Sequence, residues 1–469
     1  MPLQEFSVIS PNIQPGQIFK AISTALPTDI IERVIDQTGS REQRSRLLPT
    51  HLVICLIIAL SFWSQDSAKD VLKTLLASLG KAQLQLSERW RIPSRAAITQ
   101  ARQRLGPRVM STLFKQLARP VATFDTPGAF LKGLRMVAID GTGLDVPDSP
   151  DNASVFGYPG SRPTTQAAFP KVRLVLLVEL GTHLVFDALM SPYRLGERGK
   201  AKKLLRSVEP DMVVLWDGGL HSYDLVHAVQ AQGAHFLSRV PAHARLQVDK
   251  ELPDGSYLSY LYPPKKLQKQ GYRPIAVRVI SYTAAHSDPT QPDKSYRIIT
   301  DLFECESFEA SLLAGEFHKR WEEELTIDEV KTHLLGRKVP IRAENPREVI
   351  QEIYGLLLGH WAIRYLMAQA AAEAQISPLQ LSFTASVKVI RREVPAFQRT
   401  APEQLGVLYE RLLAELLDEI LPERMKRYAP RVVKKRISKY PAKKRKQKPE
   451  RSERMPPPIP LKEAVSALN

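Results

Sequence analysis

The segment LRMVAID, residues 134–140, indicates the fold class, because it opens a series of short apolar runs of β-strand length. Runs and helical patterns then alternate along the next hundred residues. In chain order they are strand-like 171–180 and 183–191, helical 197–208, strand-like 211–217, helical 223–233 and strand-like 235–240. Three strands, a helix, a strand, a helix and a strand predict a mixed sheet flanked by helices.

That order of elements suits a ribonuclease-H-like mixed-sheet core of the α/β class. Apolar residues at helical spacing precede it, strand-like runs among turn residues interrupt it, and helical patterns follow it. The predicted division is a helical N-terminal DNA-binding domain at 1–124, the first part of the core at 125–240, a β-rich insertion at 241–301, the second part of the core with C-terminal helices at 302–420, and a basic disordered tail at 421–469.

The bulk composition is that of an ordinary globular protein. The chain has 469 residues, of which 43% are hydrophobic and 25% charged. Its two cysteines, Cys55 and Cys305, offer neither a disulfide framework nor a metal-binding knuckle, which fits a reducing cytoplasm. The N-terminus lacks the pattern of a signal peptide. The apolar run at 52–60 is too short to span a bilayer and predicts a buried core helix.

The positive charge is concentrated near the C-terminus. The whole chain carries a net charge of +17, and the segment 424–454 holds 15 Lys or Arg against two Glu, which is +13 of that total. Such a balance favours a polyanionic partner, nucleic acid first and an anionic membrane surface second. A run of this kind is usually a solvated tail that anchors on phosphates without reading sequence. The folded body must then supply specificity and catalysis.

One basic segment in the N-terminal region could approach DNA. In the stretch 92–106, Ser94 is placed as a helix N-cap, and three arginines follow it: Arg95, Arg102 and Arg104. A helix-turn-helix cannot be told from a plain basic helix on this signal, and both interpretations stay open.

Two aspartates follow predicted strands directly. Asp140 ends the run 134–140 and Asp217 ends the run 211–217, and each is followed by glycine. A glycine there would let the chain turn away and leave the carboxylate at a strand tip facing a crevice. Either aspartate alone could equally cap a turn.

The segment 317–331 concentrates acid in a basic protein. On a helical wheel of about 100° per residue, one arc of about 60° holds Phe317, Arg320, Glu324 and Lys331. A solvated face with a weak ion pair between Arg320 and Glu324 would explain that stripe. Apolar residues flank it on both sides, however, which indicates a partly buried helix whose acid needs a partner or a metal.

These motifs resemble those of the insertion-sequence-four group of DDE transposases. That family has Asp-Gly-Thr after the first strand, Asp-Arg-Gly after the fourth, and a helix with Tyr, Arg, Glu and Lys spaced by two, three and six residues. The matching motifs here are Asp140-Gly141-Thr142, Asp217-Gly218-Gly219 and the helix Phe317, Arg320, Glu324 and Lys331. The chain departs from the pattern at Phe317, where the family has Tyr, and at Gly218, where it has Arg. The helix register selects Glu324 over Glu322 and Glu323.

The resemblance implies a transposase that cuts the terminal inverted repeats of its element and joins them to target DNA, through a hairpin intermediate and as a dimer on DNA. Two Mg²⁺ or Mn²⁺ ions about 3.5–4 Å apart could activate the nucleophile and support the leaving oxygen. Asp140 would bridge the ions while Asp217 and Glu324 complete one site each. Arg320 and Lys331 would contact phosphates, and Phe317 would lie beside them. A DNA-binding derivative without catalysis and a nuclease without strand transfer are the alternatives.

Overall fold

A computed structural model describes most of the folded body. The described residues are 22, 25–43, 47–77, 92–162, 165–241, 243–284, 294–319, 321–336, 341–422 and 443–444. Within them, no helix combines the length and apolarity needed to cross a bilayer. The predicted basic tail lies outside these residues except for Leu421–Pro422 and Lys443–Lys444.

Thirteen strands are present in this part of the chain. They are β1 Phe130–Leu131, β2 Leu134–Asp145, β3 Gly160–Arg162, β4 Thr165–Gln166, β5 Lys171–Glu179, β6 Leu184–Pro192, β7 Met212–Trp216, β8 His235–Arg239, β9 Lys250–Glu251, β10 Tyr257–Leu261, β11 Ile275–Ala284, β12 Lys294–Thr300 and β13 Lys443–Lys444. The large sheet has the order β6-β5-β2-β7-β8-β12-β11-β10-β9, with β1 paired to β2, and a small sheet joins β13, β4 and β3.

The large sheet confirms the predicted fold class. β5 pairs antiparallel with both β6 and β2, and β7 and β8 continue the sheet parallel to β2. This is the strand order of a ribonuclease-H-like core. β12 pairs antiparallel with β8, so the strands from β9 to β12 extend the same sheet beyond its fifth core strand.

The helices flank the sheet on both faces. They are α1 Thr28–Gln37, α2 Thr50–Phe62, α3 Ala68–Ala77, α4 Arg95–Leu105, α5 Pro107–Leu117, α6 Pro150–Phe156, α7 Arg198–Leu204, α8 Tyr223–Ala231, α9 Lys265–Gln268, α10 Ala310–Lys319, α11 Trp321–Asp328, α12 Pro346–Glu373, α13 Phe383–Arg399 and α14 Leu405–Leu417. Alternate residues of β2 divide the core. Val137 and Ile139 pack with α7 and α8 on one face, and Met136 and Ala138 pack with α10 on the other.

The predicted core helix at 52–60 is confirmed as α2, which packs closely against α12. Its residues from Leu52 to Phe62 are all buried. Two glycines one turn apart on α12, Gly355 and Gly359, leave room for this approach. A methyl group added at Gly355 would lie 2.6 Å from the carbonyl oxygen of Ile57. The two glycines therefore set how closely α2 and α12 approach each other.

We expect Gly355→Ala to destabilise the protein, although alanine favours a helix. The new methyl would meet backbone that cannot rotate away, and overpacking of this kind costs about 1–3 kcal/mol. Urea unfolding would measure the loss. Gly315→Ala is the matched control, because Gly315 lies in α10 with nothing within 4 Å of the new methyl. The control should gain about 0.5–1 kcal/mol. Equal stability of the two variants would contradict close packing at Gly355.

Candidate active site

Asp140 of β2 and Asp217, the residue that follows β7, come at the same level of two neighbouring parallel strands. β2 and β7 pair from Arg135 with Met212 to Ala138 with Leu215, an offset of 77 residues (212 − 135). The two aspartates are also 77 residues apart (217 − 140), so the same register carried two residues further sets them side by side. Neighbouring strands are about 4.8 Å apart. Their side chains therefore leave the sheet next to each other.

Both aspartates project from the face that α10 covers. Side chains alternate between faces along a strand, and Ala138 of β2 and Leu215 of β7 belong to the cluster that packs against α10. Asp140 and Asp217 each come two residues later. Both aspartates therefore belong to the face that α10 covers, and the helix that bears Glu324 follows α10 in the chain.

The strand does not end at Asp140, which corrects one prediction. β2 continues to Asp145, paired with β5. Gly141 does not turn the chain. A methyl group at Gly141 would lie 2.5 Å from Cδ of Glu197, and one at Gly143 would lie 2.5 Å from Cδ of Lys171. These glycines admit neighbouring side chains. By contrast, β7 ends at Trp216, directly before Asp217.

The segment from Phe317 to Lys331 runs across this face and brackets Glu324. Phe317 packs in the cluster that contains Ala138, and the ammonium of Lys331 lies 3.0 Å from the hydroxyl of Thr142, two residues beyond Asp140. Glu324 lies between these two fixed points on α11, which contacts β2, and its side chain is exposed. Glu324 therefore lies on a helix that contacts the strand bearing Asp140.

Phe317 is not a DNA contact in this structure, which corrects a second prediction. Its side chain is 4% exposed and belongs to the core. Arg320 lies outside the described residues. The regular wheel also ends at Asp328, because Glu329–Leu334 form a π-helix that widens the turn and displaces Lys331 from the predicted stripe. π-Helical turns often occur at functional sites.

Arg239 was missed by the sequence analysis and lies beside Asp217. β7 and β8 pair up to Trp216 with Ser238, so Arg239 follows at the level of Asp217. Its guanidinium is 3.4 Å from the Asp217 carboxylate, and both side chains are about 40% exposed. Arg239 also lies over the ring of Tyr296, 4.8 Å from its centroid. The available signal was a charged residue one position before the end of the apolar run 235–240.

The carboxylates of Asp140, Asp217 and Glu324 are donors that suit a hard divalent cation, although they do not meet at one point in the structure. Within the described ranges, no three His, Cys, Asp or Glu side chains form a group that could hold a metal ion as they stand. One Asp140 oxygen accepts the Gly141 backbone N–H at 2.7 Å, and Asp217 faces Arg239. Carboxylate oxygens are the ligands that Mg²⁺ and Mn²⁺ prefer. Asp140, Asp217 and Glu324 would be the ligands of such a cation.

Basic side chains surround the far end of β2. Lys331 and Lys171 are close enough to repel each other, and Lys171 pairs with Asp145 at 3.1 Å. Burial lowers the pKa of Lys331, and the charge of Lys171 lowers it further. Asp145 and Asp328 act in the opposite direction on Lys331, so the two lysines are partly balanced by nearby carboxylates.

The three arginines of α4 have different surroundings. Ser94 caps this helix as predicted, accepting the N–H of Ala97 at 3.2 Å. Arg95 and Arg104 are exposed. Arg102 is 5% exposed and donates to the carbonyl of Glu348, so the prediction that it contacts DNA is wrong. Its role is to join α4 to α12.

Two family models match this chain. Residues 17–115 match the family described as "Insertion element 4 transposase N-terminal", and residues 132–359 match "Transposase DDE domain". The second match contains Asp140, Asp217 and Glu324.

Relatives and a solved structure extend the comparison. The chain is 26% identical to "Transposase InsG for insertion sequence element IS4" of Escherichia coli (strain K12) over 419 residues, 89% of this chain and 92% of that one. It is 30% identical to "Putative transposase InsZ" of the same strain over 231 residues, 49% of this chain and 74% of that one. The cryo-EM structure of the piggyBac transposase synaptic complex with hairpin DNA covers 84% of each chain at 10% identity and a TM-score of 0.41, too loose a likeness to support an argument. The family matches and the bacterial relatives show that this chain belongs to the DDE transposases of the insertion-element-4 type.

Proposed function

We propose that this transposase cleaves the terminal inverted repeats of its element and joins them to target DNA by two-metal phosphoryl transfer. Asp140, Asp217 and Glu324 would be its catalytic carboxylates. The observation that supports this most is the 77-residue offset of β2 and β7, which gives Asp140 and Asp217 one level of the sheet. The segment bearing Glu324 crosses the same face.

The three carboxylates would hold two divalent cations. Asp140 would be the shared ligand, and Asp217 and Glu324 would each complete one site. When bound, the ions would activate the attacking oxygen and stabilise charge on the scissile phosphate and on the leaving oxygen. Mg²⁺ or Mn²⁺ fits these oxygen ligands.

Cations beside the carboxylates would hold the DNA backbone. Lys331 would contact a phosphate near the scissile bond while its partner Thr142 fixes its direction. Arg239 would leave Asp217 when a cation binds there and would then contact a neighbouring phosphate. It would supply the positive charge that Gly218 lacks. Arg320 would add a further phosphate contact, and Arg95 and Arg104 of α4 would reach DNA at a distance from the site.

The reaction would be cut-and-paste transposition through a hairpin. Water displaces a 3′ oxygen at the element end, and the freed 3′ hydroxyl attacks the opposite strand and displaces the flanking 3′ oxygen. Water then reopens the hairpin, and the 3′ hydroxyl attacks a target phosphate. Each step exchanges one P–O bond for another, so no nucleotide triphosphate is required. We place this reaction on the nucleoid in the cytoplasm, with a dimer holding both ends.

Purified protein with Mg²⁺ and a duplex carrying the element's own ends would test the proposal. We expect nicks, hairpins and joined products, all prevented by a chelator. Nicks without joining would identify a nuclease, and binding without cleavage would identify an inactive DNA-binding derivative. Either result would overturn the proposed activity.

A further inference from the structure

Four polar side chains are buried together beneath the segment that carries Glu324 and Lys331. They are His183, Glu329, His360 and Arg364, each no more than 6% exposed. One Glu329 oxygen is 3.0 Å from Nδ1 of His183. The other is 3.0 Å from Nε2 of His360 and accepts Nε–H of Arg364 at 2.9 Å. Nη2 of Arg364 also donates to Glu329. A single carboxylate therefore joins all three partners.

The network links three separate elements. Glu329 is the first residue of the π-helix that continues α11. His183 lies in the turn between β5 and β6, with a φ of +60°. His360 and Arg364 are one turn apart on α12. The segment bearing Glu324 is thus tied to the sheet on one side and to the longest helix of the described chain on the other.

The charges of this network are balanced by one ion pair. Burial opposes ionisation of Glu329, but Arg364 and the bonds from His183 and His360 outweigh it and lower the pKa of Glu329 well below its ordinary value. Burial lowers the pKa of both histidines, which favours their neutral forms. A buried ion pair often stabilises a fold no more than apolar packing would. The pair between Arg364 and Glu329 orients the two side chains relative to each other, because the planar guanidinium meets both carboxylate oxygens in a fixed geometry.

The position of Glu329 couples that geometry to the site. Glu324 precedes it by five residues, about 7–8 Å along a helix, and Lys331 follows it by two. A shift of one residue would rotate the helix by about 100°, which would change the direction of the Glu324 side chain and break the contact of Lys331 with Thr142. Anchoring Glu329 therefore fixes both the rotation and the height of the segment.

We propose that Glu329 is a positioning residue of the transposase, which through Arg364, His183 and His360 holds the helix that presents Glu324 to the metal-binding face. This inference rests on the proposed function of Glu324. It concerns a residue that contacts neither DNA nor cation.

Glu329→Gln, which keeps the shape and removes the charge, tests this role. Mn²⁺ binding would be titrated by the EPR signal of free Mn²⁺ in the complex with end DNA, and single-turnover nicking would be followed over the same Mn²⁺ series. We expect Mn²⁺ affinity and nicking each to fall by about tenfold to a hundredfold, as for other residues that orient ligands. Affinity for DNA should be unchanged.

Glu393→Gln is the matched control. Glu393 is 7% exposed and pairs with Arg411 and Arg392, where α13 packs against α14, and it takes no part in the Glu329 network. Both variants would be measured at a temperature well below the lower of their two unfolding midpoints. Wild-type Mn²⁺ binding and nicking in Glu329→Gln, or equal impairment in Glu393→Gln, would overturn the positioning role. If Glu329→Gln does not fold, Arg364→Lys is judged by the same criteria.

Glu324→Gln in the same titration separates the two proposals. If it leaves Mn²⁺ binding unchanged, the proposed catalytic site is wrong. If it weakens Mn²⁺ binding while Glu329→Gln does not, only the positioning role of Glu329 is overturned.

Discussion

Glu324→Gln is expected to reduce nicking of the element's ends by about a thousandfold or more while leaving DNA affinity unchanged. The amide has the shape of the carboxylate but neither its charge nor its affinity for a divalent cation, so one cation of the pair would be lost. Exposure of Glu324 means that the substitution breaks no packing. Nicking would be measured in single turnover with Mg²⁺, and binding by gel shift with Ca²⁺ in place of Mg²⁺.

The neighbouring glutamates provide the controls for this prediction. Glu322→Gln and Glu323→Gln make the same chemical change two residues and one residue before Glu324, and each residue step turns a helix by about 100°. Both should retain most of the activity. Comparable losses in all three variants would show that the segment's total charge matters and that Glu324 holds no special position.

Deleting residues 424–454 is expected to weaken binding to any DNA by about a hundredfold or more at low salt. The segment carries +13 of the chain's net charge. Each phosphate that the shortened protein no longer neutralises reduces the slope of log affinity against log salt by about 0.9. End DNA and scrambled DNA would be titrated across a salt series with both proteins. Both affinities should fall together and the slope should flatten.

The preference for element ends should survive that deletion. Contacts of lysine with phosphate hold little sequence information, whereas groove contacts by the folded body do; Arg95 and Arg104 of α4 are exposed candidates for them. A second variant, in which the 15 basic residues of the segment are changed to Gln, keeps the chain length and should show the same DNA affinities as the deletion. If the truncated protein bound both DNAs equally while the full chain discriminated, the tail would read sequence, and α4 would not.

The sequence could predict the sheet because strands depend on local pattern. Apolar runs of strand length at 134–140 and 211–217 appear as β2 and β7, and the aspartates that end the runs project at one level. The spacing from Phe317 to Lys331 depends only on helix geometry, and it identified the segment that crosses the face.

What the sequence could not predict depends on contacts between distant residues. Arg102 belongs to an apparently basic helix, yet its side chain is buried and donates a hydrogen bond to the carbonyl of Glu348, 246 residues later. Gly141 suggested a turn, but it makes room for Glu197. Glu329 stood among other acids with nothing to distinguish it, because His183 and Arg364 reach it only in the folded chain. Such partners have no local pattern.

The register that aligns Asp140 with Asp217 also determines where the gene can change length. The two aspartates are aligned by the pairing of residues between β2 and β7. The loops between these strands can change length without shifting that pairing. Added codons in the connection between β6 and α7 would therefore be tolerated. One codon inserted between Arg135 and Asp140 would move that carboxylate to the opposite face of the sheet, and the element would no longer be mobile.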